Sequence, residues 1–312
     1  MSAAGLRARC PAKVNLSLRV LGRRADGYHE LDTVFQAIGL WDEIDGTPAE
    51  RLSLDCDDPS LPTDESNLVL RAASELRRAF PCAGARPGAR LRLRKRIPAG
   101  GGLGGGSSDA AGTLLLLSRL WSLSPGPSDL TRIAAGLGAD VPFFLNGGTA
   151  RGRGRGDRIE PLPFAGDLAV LVGTPPFGIS TAEVYRRYAE RLTPQENGVT
   201  VNGFSYGRNL LRERDSSGGA VNDLEQVVFH EFPELRAFRD ALLAAGARNA
   251  LLSGSGSSVF GIFGDPVELD DATTRIPDRF ERWTLLGTQS TPLGAHLVES
   301  DAATTDRPPT GE

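Results

Sequence analysis

A run of glycines constrains the fold of this 312-residue chain more than any other feature. Six glycines lie between positions 100 and 106. Before them, residues 89–97 alternate arginine with leucine, as in a half-buried strand, and after them residues 108–123 have the pattern of a helix. Glycine lets backbone N–H groups approach a ligand closely, and the helix adds the positive end of its dipole. The run therefore predicts a loop that binds an anion, most suitably a phosphate chain.

The same glycines have other interpretations. A Walker A loop is excluded, because it ends in Gly-Lys-Ser/Thr and this run ends in Gly106-Ser107-Ser108. A dinucleotide-binding fingerprint can be extracted from the run, but no strand with an acidic ribose ligand follows. A flexible linker is disfavoured because it would join a firm strand to a firm helix. We expect Ser107 or Ser108 to cap the helix, and either hydroxyl could also contact a magnesium ion.

Composition narrows the class of protein. With 40% hydrophobic and 24% charged residues, the chain is typical of a globular protein of about two domains. A net charge of −4 argues against a nucleic-acid-binding protein, and three cysteines without CxxC spacing indicate neither a disulfide framework nor a zinc site. The Arg-Gly alternation at 151–155 fits an exposed strand better than an RNA-binding segment. With no apolar signal region and no apolar run of ~18 residues, we expect a cytoplasmic protein without a membrane contact.

Lysine is rare in this chain. Of the 35 basic residues only Lys13 and Lys95 are lysines. Codon bias toward arginine accounts for the other residues but not for these two positions. Lys95 shares its parity with Leu91 and Leu93, so we expect it on the inward face of the strand that leads into the glycine run. A compact ammonium suits a crowded phosphate site better than a planar guanidinium does.

Hydrophobic periodicity and turn signals predict the remaining elements. Leu16, Leu18 and Val20 should lie on the buried face of one strand, and residues 168–172 should form another. A helix over residues 65–80 should be capped by Ser66. Further helices are expected over residues 128–136, 181–192, 223–229 and 234–245. After residue 287 the composition predicts a disordered tail.

Four segments, taken in order, resemble the motifs of the GHMP small-molecule kinases. They are PAKVNLSLRVLGRRADGYHEL (11–31), IPAGGGLGGGSSDAA (97–111), LGADVPFFLNGG (137–148) and LSGSGSSVF (252–260). The first segment, with Asn222-Asp223-Leu224-Glu225, resembles the branch of that family whose substrate is 4-diphosphocytidyl-2-C-methyl-D-erythritol, in the non-mevalonate isoprenoid precursor pathway.

The resemblance implies an α+β fold of two domains with the active site in the cleft between them. Residues 1–160 would form a ribosomal-S5-like N-terminal domain that carries the glycine-rich phosphate loop. Residues 161–287 would form a smaller ferredoxin-like α/β layer, followed by a disordered tail over 288–312. We expect a monomer or a weak homodimer that binds only small molecules.

The resemblance also implies ATP and Mg²⁺ as cofactors and assigns roles to two polar residues. Asp140 would be the base near the attacking hydroxyl, although the sequence alone favours a helix N-cap before Pro142, and both roles could coexist. Lys13 would stabilise the Asp140 carboxylate and polarise the hydroxyl, although on sequence alone it could be a solvated strand lysine. Gly254 to Ser257 would close over the phosphates or support the glycine loop, unless it is a plain β-turn.

Two sets of binding residues follow from the resemblance. Predicted for ATP are Asn67, Leu68, Lys95, Pro98, Gly100, Gly101, Gly102, Leu103, Gly104, Gly105, Gly106, Ser107 and Ser108. Predicted for the cytidine diphosphate-linked substrate are Asn15, Tyr28, His29, Pro175, Ser180, Thr181 and Tyr185. A planar base needs a stacking partner, which Tyr28 or Tyr185 could supply. His29 could otherwise be a turn residue, and Tyr185 could belong to the core.

Two alternative functions remain open. The chain could be a GHMP kinase that acts on homoserine, mevalonate or a sugar, which the Tyr28-His29 block disfavours. It could also be a non-catalytic nucleotide-binding regulator, which the presence of both Lys13 and Asp140 disfavours.

Overall fold

A computed structural model describes residues 5–81, 88–191 and 221–298. Three predictions lie outside these residues, at least in part: the last residue of the helix predicted over 181–192, the loop with some helix that the polar composition of 193–220 predicts, and the end of the tail from residue 299. Within the described ranges the chain forms eleven strands and eight helices. The strands are β1 Leu6–Arg23, β2 His29–Ala49, β3 Leu52–Cys56, β4 Gly88–Arg94, β5 Thr149–Gly154, β6 Arg158–Leu162, β7 Ala169–Thr174, β8 Asn249–Leu252, β9 Val259–Phe263, β10 Thr284–Gln289 and β11 His296–Val298.

The helices divide between the two halves of the described chain. The helices before β5 are α1 Leu68–Ala79, α2 Gly105–Leu120, α3 Pro127–Leu137 and α4 Val141–Asn146. Those after β7 are α5 Thr181–Arg191, α6 Glu225–Glu231, α7 Pro233–Ala244 and α8 Pro266–Arg275.

Two sheets organise these elements. The larger has the order β11-β1-β2-β4-β3, and β5 joins its long central strand β2 to β6. Only the β3–β4 pair is parallel among the pairings of this sheet in the described residues. The smaller sheet is antiparallel, with the order β10-β7-β9-β8. The molecule is therefore an α+β protein, as the sequence predicts.

Three apolar clusters hold these elements together in four layers. In order, the layers are helices, the larger sheet, the smaller sheet and helices. One cluster packs α1 to α4 on the outer face of the larger sheet, with Leu91 and Leu114 among its members. A second packs α5 to α8 on the outer face of the smaller sheet. The third lies between the two sheets and joins Val14 and Leu16 of β1 to Val172 of β7 and Phe260 of β9. The inner faces of the two sheets therefore share one core.

Strand β1 is buried on both faces. Leu16, Leu18 and Val20 are buried on one side, which confirms the predicted parity. The other side carries Lys13 and Asn15, which are only 3% and 2% exposed. A lysine so deeply buried needs polar partners, because desolvation of an unpaired ammonium is costly. The sequence alternative that Lys13 is a solvated strand lysine is therefore wrong.

Both predicted helix caps are wrong. Helix α1 is capped by Asn67, whose side-chain oxygen accepts the Val69 N–H at 2.9 Å, while Ser66 bonds to Asp64 instead. Helix α2 begins within the glycine run at Gly105, and its N-cap is Gly104 with φ +74° and no side-chain cap. Neither Ser107 nor Ser108 caps this helix, because the left-handed glycine already turns the chain into it.

The predicted disordered tail begins too early. Thr288 and Gln289 complete β10, and Ser290 and Thr291 are buried. Strand β11 then pairs antiparallel with residues 7–9 of β1. The segment contains few apolar residues, so its composition concealed a strand that is held by backbone hydrogen bonds to the larger sheet. In the described ranges, no helix is long and apolar enough to cross a membrane.

The glycine loop packs tightly against the turn between β8 and β9, residues 253–258. Ser258 N–H donates to the Gly101 carbonyl at 3.0 Å, and the Ser253 hydroxyl donates to the Gly102 carbonyl at 3.0 Å. A Cβ on Gly102 would lie 2.1 Å from the Ser253 carbonyl oxygen. The backbone of the larger sheet's loop therefore contacts the backbone of the smaller sheet's turn, and only glycine fits between them.

This contact predicts a difference between two substitutions in one loop. Gly100 and Gly102 both have φ near +70°, so alanine at either costs about 1–2 kcal/mol of backbone strain. No atom lies within 4 Å of a Cβ at Gly100, whereas one at Gly102 meets two carbonyl oxygens. We expect Gly102→Ala to lower the free energy of unfolding by about 1–3 kcal/mol more than Gly100→Ala does, measured by urea unfolding. Equal losses would show that the close contact between loop and turn is absent.

Candidate functional site

A cavity of about 1340 Å³ opens beside the glycine loop. Its wall includes the loop itself, the start of α1, the chain before α4, the β1–β2 turn and helix α5. The cavity brings together most of the residues predicted for the two substrates. They are Lys13, Asn15, Tyr28, His29, Asn67, Leu68, Lys95, Pro98, Gly100, Gly101, Gly102, Leu103, Gly104, Gly105, Gly106, Ser107, Asp140, Thr181 and Tyr185.

A chain of hydrogen bonds fixes the Lys13 ammonium. Lys13 Nζ donates to Asn15 Oδ1 at 2.7 Å, and Asn15 Nδ2 donates to Thr33 Oγ1 at 2.8 Å. Thr33 in turn donates to the Ser17 carbonyl at 2.7 Å. The ring of Phe35 lies below the ammonium, 5.5 Å from Nζ to the centroid. These partners set the direction of the ammonium before any ligand binds.

Asp140 is the ionic partner of Lys13. Its Oδ2 lies 3.5 Å from Lys13 Nζ, and its side chain is 32% exposed whereas that of Lys13 is 4% exposed. Asp140 occupies the N-cap position of α4, but its side chain makes no cap hydrogen bond. The predicted N-cap position of Asp140 is therefore confirmed, but no side-chain cap bond accompanies it. Its carboxylate is left to face the cavity beside a buried ammonium.

Burial and the neighbouring carboxylate shift the pKa of Lys13 in opposite directions. Burial lowers the pKa of the Lys13 ammonium, because the interior disfavours its charge, and the Asp140 carboxylate partly offsets this effect. The pKa is lowered overall. Lys13 therefore depends on Asp140 for its proton more than an exposed lysine would.

Lys95 lies under the glycine loop in a different environment. Its Nζ contacts Asp42 Oδ2 at 2.5 Å and Asp109 Oδ2 at 2.8 Å, and its side chain is 7% exposed, which confirms the inward direction. Asp42 also accepts the N–H groups of Arg96 and Ile97. Two carboxylates raise the pKa of Lys95 despite its burial. The ammonium ties β2 and β4 to the first turn of α2, so its position supports the loop.

The first turn of α2 carries two buried oxygens without a partner in the described residues. They are Ser108 Oγ and Asp109 Oδ1, on side chains that are at most 2% exposed. Burial raises the pKa of Asp109 to about 7. Ser107 and Asp109 line the cavity, whereas Ser108 is fully buried and does not. The structure therefore places Ser108 behind the glycine loop, and its contact with ATP stays a prediction.

Aromatic side chains gather at the other end of the cavity. The rings of His29 and Tyr185 are stacked, with centroids 5.1 Å apart and planes at 28°. His29 Nε2 is buried without a hydrogen-bond partner in the described chain. Burial, and then the charge of Arg23, lower the pKa of His29, so the imidazole is neutral at pH 7. Tyr28 is 57% exposed at the rim.

Three predicted substrate residues of the second half behave differently from one another. Thr181 lines the cavity and shares a hydrogen bond of 2.8 Å with the Ser255 hydroxyl. Pro175 is buried directly after β7 and does not reach the cavity wall. Ser180 is exposed at the start of α5, where its hydroxyl accepts the Glu183 N–H, and it does not lie on the cavity wall. The structure thus does not bring Pro175 and Ser180 to the wall, and their contact with substrate stays a prediction.

The segment 222–225 joins the two halves behind the cavity. Asn222 Nδ2 donates to the carbonyls of Leu252 and Gly254, and Asp223 accepts the Val20 N–H at 2.9 Å. Glu225 accepts the Leu252 N–H at 2.8 Å. Burial raises the pKa of Glu225 to about 7. This segment and the glycine loop hold the turn at 253–258 from two sides, so the predicted supporting role of Gly254 to Ser257 is the one their contacts favour.

Several cavity residues carry no signal in the sequence. Thr33 and Asp109 line the wall and Asp42 lies behind it, and all three act through contacts between separate elements. Arg23 and Arg155 reach the cavity from two hairpin turns. The Arg-Gly alternation did mark the second turn, but it gave no reason to assign Arg155 to a site.

The geometry suits phosphoryl transfer. Backbone N–H groups at a helix N-terminus can hold a phosphate chain, and the carboxylate of Asp140 and the ammonium of Lys13 can orient a hydroxyl and neutralise charge beside it. The stacked aromatic pair can hold a planar group at the opposite end. One cavity thus offers an anion cradle, an acid–base pair and a stacking surface.

Comparison with known proteins also indicates a kinase. Residues 67–148 match the family model described as GHMP kinases N terminal domain, and residues 207–282 match the one described as GHMP kinases C terminal. A 4-diphosphocytidyl-2-C-methyl-D-erythritol kinase from Prosthecochloris aestuarii is 42% identical over 85% of this chain and 91% of its own length. One of the same name from Salinibacter ruber is 44% identical over 81% of this chain and 88% of its length.

Solved structures agree with the sequence relatives. A crystal structure of 4-(cytidine 5'-diphospho)-2C-methyl-D-erythritol kinase has a TM-score of 0.73 and 38% identity, over 91% of this chain and 99% of its own. A homoserine kinase from Cytophaga hutchinsonii has a TM-score of 0.70 at 19% identity, over 95% of this chain and 98% of its own, which shows the shared fold alone. This chain belongs to the GHMP kinases and, within them, to the 4-diphosphocytidyl-2-C-methyl-D-erythritol kinase family.

Proposed function

We propose that the protein transfers the γ-phosphoryl group of ATP to the tertiary 2-hydroxyl of 4-diphosphocytidyl-2-C-methyl-D-erythritol, in the non-mevalonate isoprenoid precursor pathway. The observation that carries the proposal is the Lys13–Asp140 pair, 3.5 Å apart, facing a cavity that has the glycine loop on its wall. Family membership supplies the substrate. Cys10 and Cys56 are both free thiols, which fits a site of action in the reducing cytoplasm.

ATP would lie with its phosphates on residues 100–107 and its base toward the start of α1. Gly100, Gly102 and Gly104 have positive φ, which turns the loop backbone back on itself above the N-terminus of α2. Asn67 and Leu68 line the wall at the start of α1, although the Asn67 side chain is also used to cap that helix. Lys95 would act beneath the loop, because its ammonium is already bonded to Asp42 and Asp109.

Asp140 and Lys13 would work on the acceptor hydroxyl. The Asp140 carboxylate would accept its proton or its hydrogen bond, and the Lys13 ammonium would stabilise the negative charge on the oxygen as it attacks. Asn15 accepts a hydrogen bond from the ammonium, so the direction of the charge is set before substrate binds. Phosphoryl transfer requires mainly positioning and charge stabilisation, which these residues provide.

A magnesium ion fits the first turn of α2. The Ser107 hydroxyl and the Asp109 carboxylate line the cavity there, and Asp109 Oδ1 is a buried oxygen without another partner in the described part of the chain. Hydroxyl and carboxylate oxygens are the ligands that Mg²⁺ prefers. These two residues would hold the ion, which neutralises phosphate charge when it is bound.

The cytidine would occupy the aromatic end. His29 stacks on Tyr185, and both rings lie on the cavity wall, where they can stack on a base. Tyr28 offers an exposed ring next to it. A kinase for homoserine, mevalonate or a sugar has no need of such a surface. A coupled assay of ADP release that compares the cytidyl substrate with these alcohols tests the proposal, and activity on an alcohol without the cytidyl group alone would contradict it.

Asp140→Asn separates chemistry from nucleotide binding. The amide keeps the shape of the side chain but cannot take a proton, so we expect kcat to fall by roughly 10²–10⁴-fold while the affinity for ATP is retained. Steady-state kinetics and nucleotide titration measure the two effects. Asp240→Asn, at a surface carboxylate bonded to Arg239, is the matched control and should keep full activity. Near-normal turnover of Asp140→Asn would reject the assignment.

The two lysines give a direct measure of the site's electrostatics. In NMR spectra of lysine-labelled protein, only Lys13 and Lys95 give side-chain signals, and Lys13→Arg assigns them. We expect Lys13 to titrate below the ordinary lysine pKa and Lys95 above it. In Asp140→Asn the Lys13 pKa should fall further, because the carboxylate that favours the ammonium is gone. An unchanged Lys13 titration in that variant would contradict the ion pair.

A further inference from the structure

Two arginines lie at the aromatic end of the cavity and take no part in the proposed phosphoryl transfer. Arg23 is the last residue of β1, and its strand partner across the β1–β2 ladder is His29. Arg155 lies in the turn between β5 and β6. Both side chains line the cavity that also contains Tyr28 and His29. The stacking surface is therefore accompanied by two guanidinium groups from separate hairpins.

The Arg155 guanidinium is held in place. Its Nε and Nη2 donate to Asp157 Oδ2 at 3.1 and 2.9 Å, and its central carbon lies 5.0 Å from the centroid of the Tyr28 ring. These contacts fix the plane of the guanidinium at the cavity wall. A guanidinium held in one orientation is suited to a phosphate oxygen.

Arg23 is the less constrained of the two. Its side chain is exposed and forms no ion pair or hydrogen bond with any residue that the structure describes. Its charge nevertheless acts on the site, because it lowers the pKa of His29. A cation kept near a neutral imidazole at a cavity wall is available to an anionic ligand.

The other charged groups around this end form ion pairs with one another. Arg186 of α5 is bonded to Glu183 and Glu190 of the same helix. Asp26 and Glu30 are both bonded to Arg24. Asp157 contacts Arg155, whereas Arg23 has no anionic partner in the described residues. On the wall itself this end of the cavity carries the guanidinium groups of Arg23, Arg155 and Arg186 beside the carboxylate of Glu190, so positive side chains outnumber negative ones there among the described residues.

We propose that Arg23 and Arg155 bind the diphosphate that links the cytidine to the methylerythritol, and so make the protein selective for a nucleoside diphosphate over a neutral nucleoside. This inference rests on the proposed function, since it concerns the same substrate. The diphosphate follows the base along the substrate, just as the two guanidinium groups accompany the aromatic surface. No covalent step is involved, and the arginines act on binding alone.

The test compares two probes that differ only in the phosphates. Calorimetric titrations with CDP and with cytidine are made on the full chain, with the ATP site filled by a non-hydrolysable ATP analogue. Arg23→Gln and Arg155→Gln should each weaken CDP binding by roughly ten-fold or more and leave cytidine binding unchanged. Arg153→Gln is the matched control, because Arg153 lies two residues away, pairs with Glu160 and does not line the cavity.

Catalysis gives a second readout. With the cytidyl substrate, both variants should raise its KM, with little change in kcat or in the KM for ATP. Unchanged CDP affinity in both variants would overturn the inference. Equal losses for CDP and cytidine would also overturn it, since the arginines would then support the base-stacking surface instead. A wild-type protein that binds the ATP analogue but neither CDP nor cytidine would contradict the proposed function itself.

Discussion

The close approach of the glycine loop to its neighbours is the constraint on which the rest of the site depends. Gly102 touches the turn of the smaller sheet, and a Cβ on Gly104 would lie 2.6 Å from the Phe144 ring and 3.1 Å from the Lys13 side chain. The Lys13 N–H also donates to the Leu103 carbonyl at 2.9 Å. The loop that would hold phosphates is thus packed against both the lysine and the second half of the chain. Its conformation and the lysine's position cannot vary independently.

The charges of the two buried lysines are compensated to different extents. Lys95 has two carboxylates within 2.8 Å, so its charge is fully compensated and it serves as a fixed tie between strands and helix. Lys13 has a neutral amide at 2.7 Å and a carboxylate at 3.5 Å, so its charge is compensated only in part. An incompletely compensated ammonium is the one that can still stabilise a developing negative charge. The rarity of lysine in the sequence pointed to both positions, but only the contacts distinguish their roles.

The sequence patterns correctly predicted the features that depend on neighbouring residues within one segment. The alternation in β1 and β4, the glycine loop and the inward direction of Lys95 are all properties of neighbouring residues in one segment. The caps of α1 and α2 were wrong because Asn67 and Gly104 compete with serines one to four positions away, and backbone conformation decides between them. Strand β11 and the Asp42–Lys95–Asp109 contacts depend on elements far apart in sequence. No local pattern contains that information.

The two ends of the cavity would neutralise the negative charges of ATP and of the cytidyl substrate with different groups. At the glycine loop the donors are backbone N–H groups and a helix end, and in the proposed scheme a bound Mg²⁺ would neutralise part of the charge of ATP. The diphosphate of the cytidyl substrate has no such ion in the proposed scheme, so its charge must be met by side chains. Arg23 and Arg155 lie at that end, where Asp157 and the Tyr28 ring keep one guanidinium fixed. We therefore expect guanidinium groups at the end that would bind the diphosphate, because the planar guanidinium suits an open diphosphate. We expect lysines at the transfer site, because a compact ammonium fits its crowded surroundings.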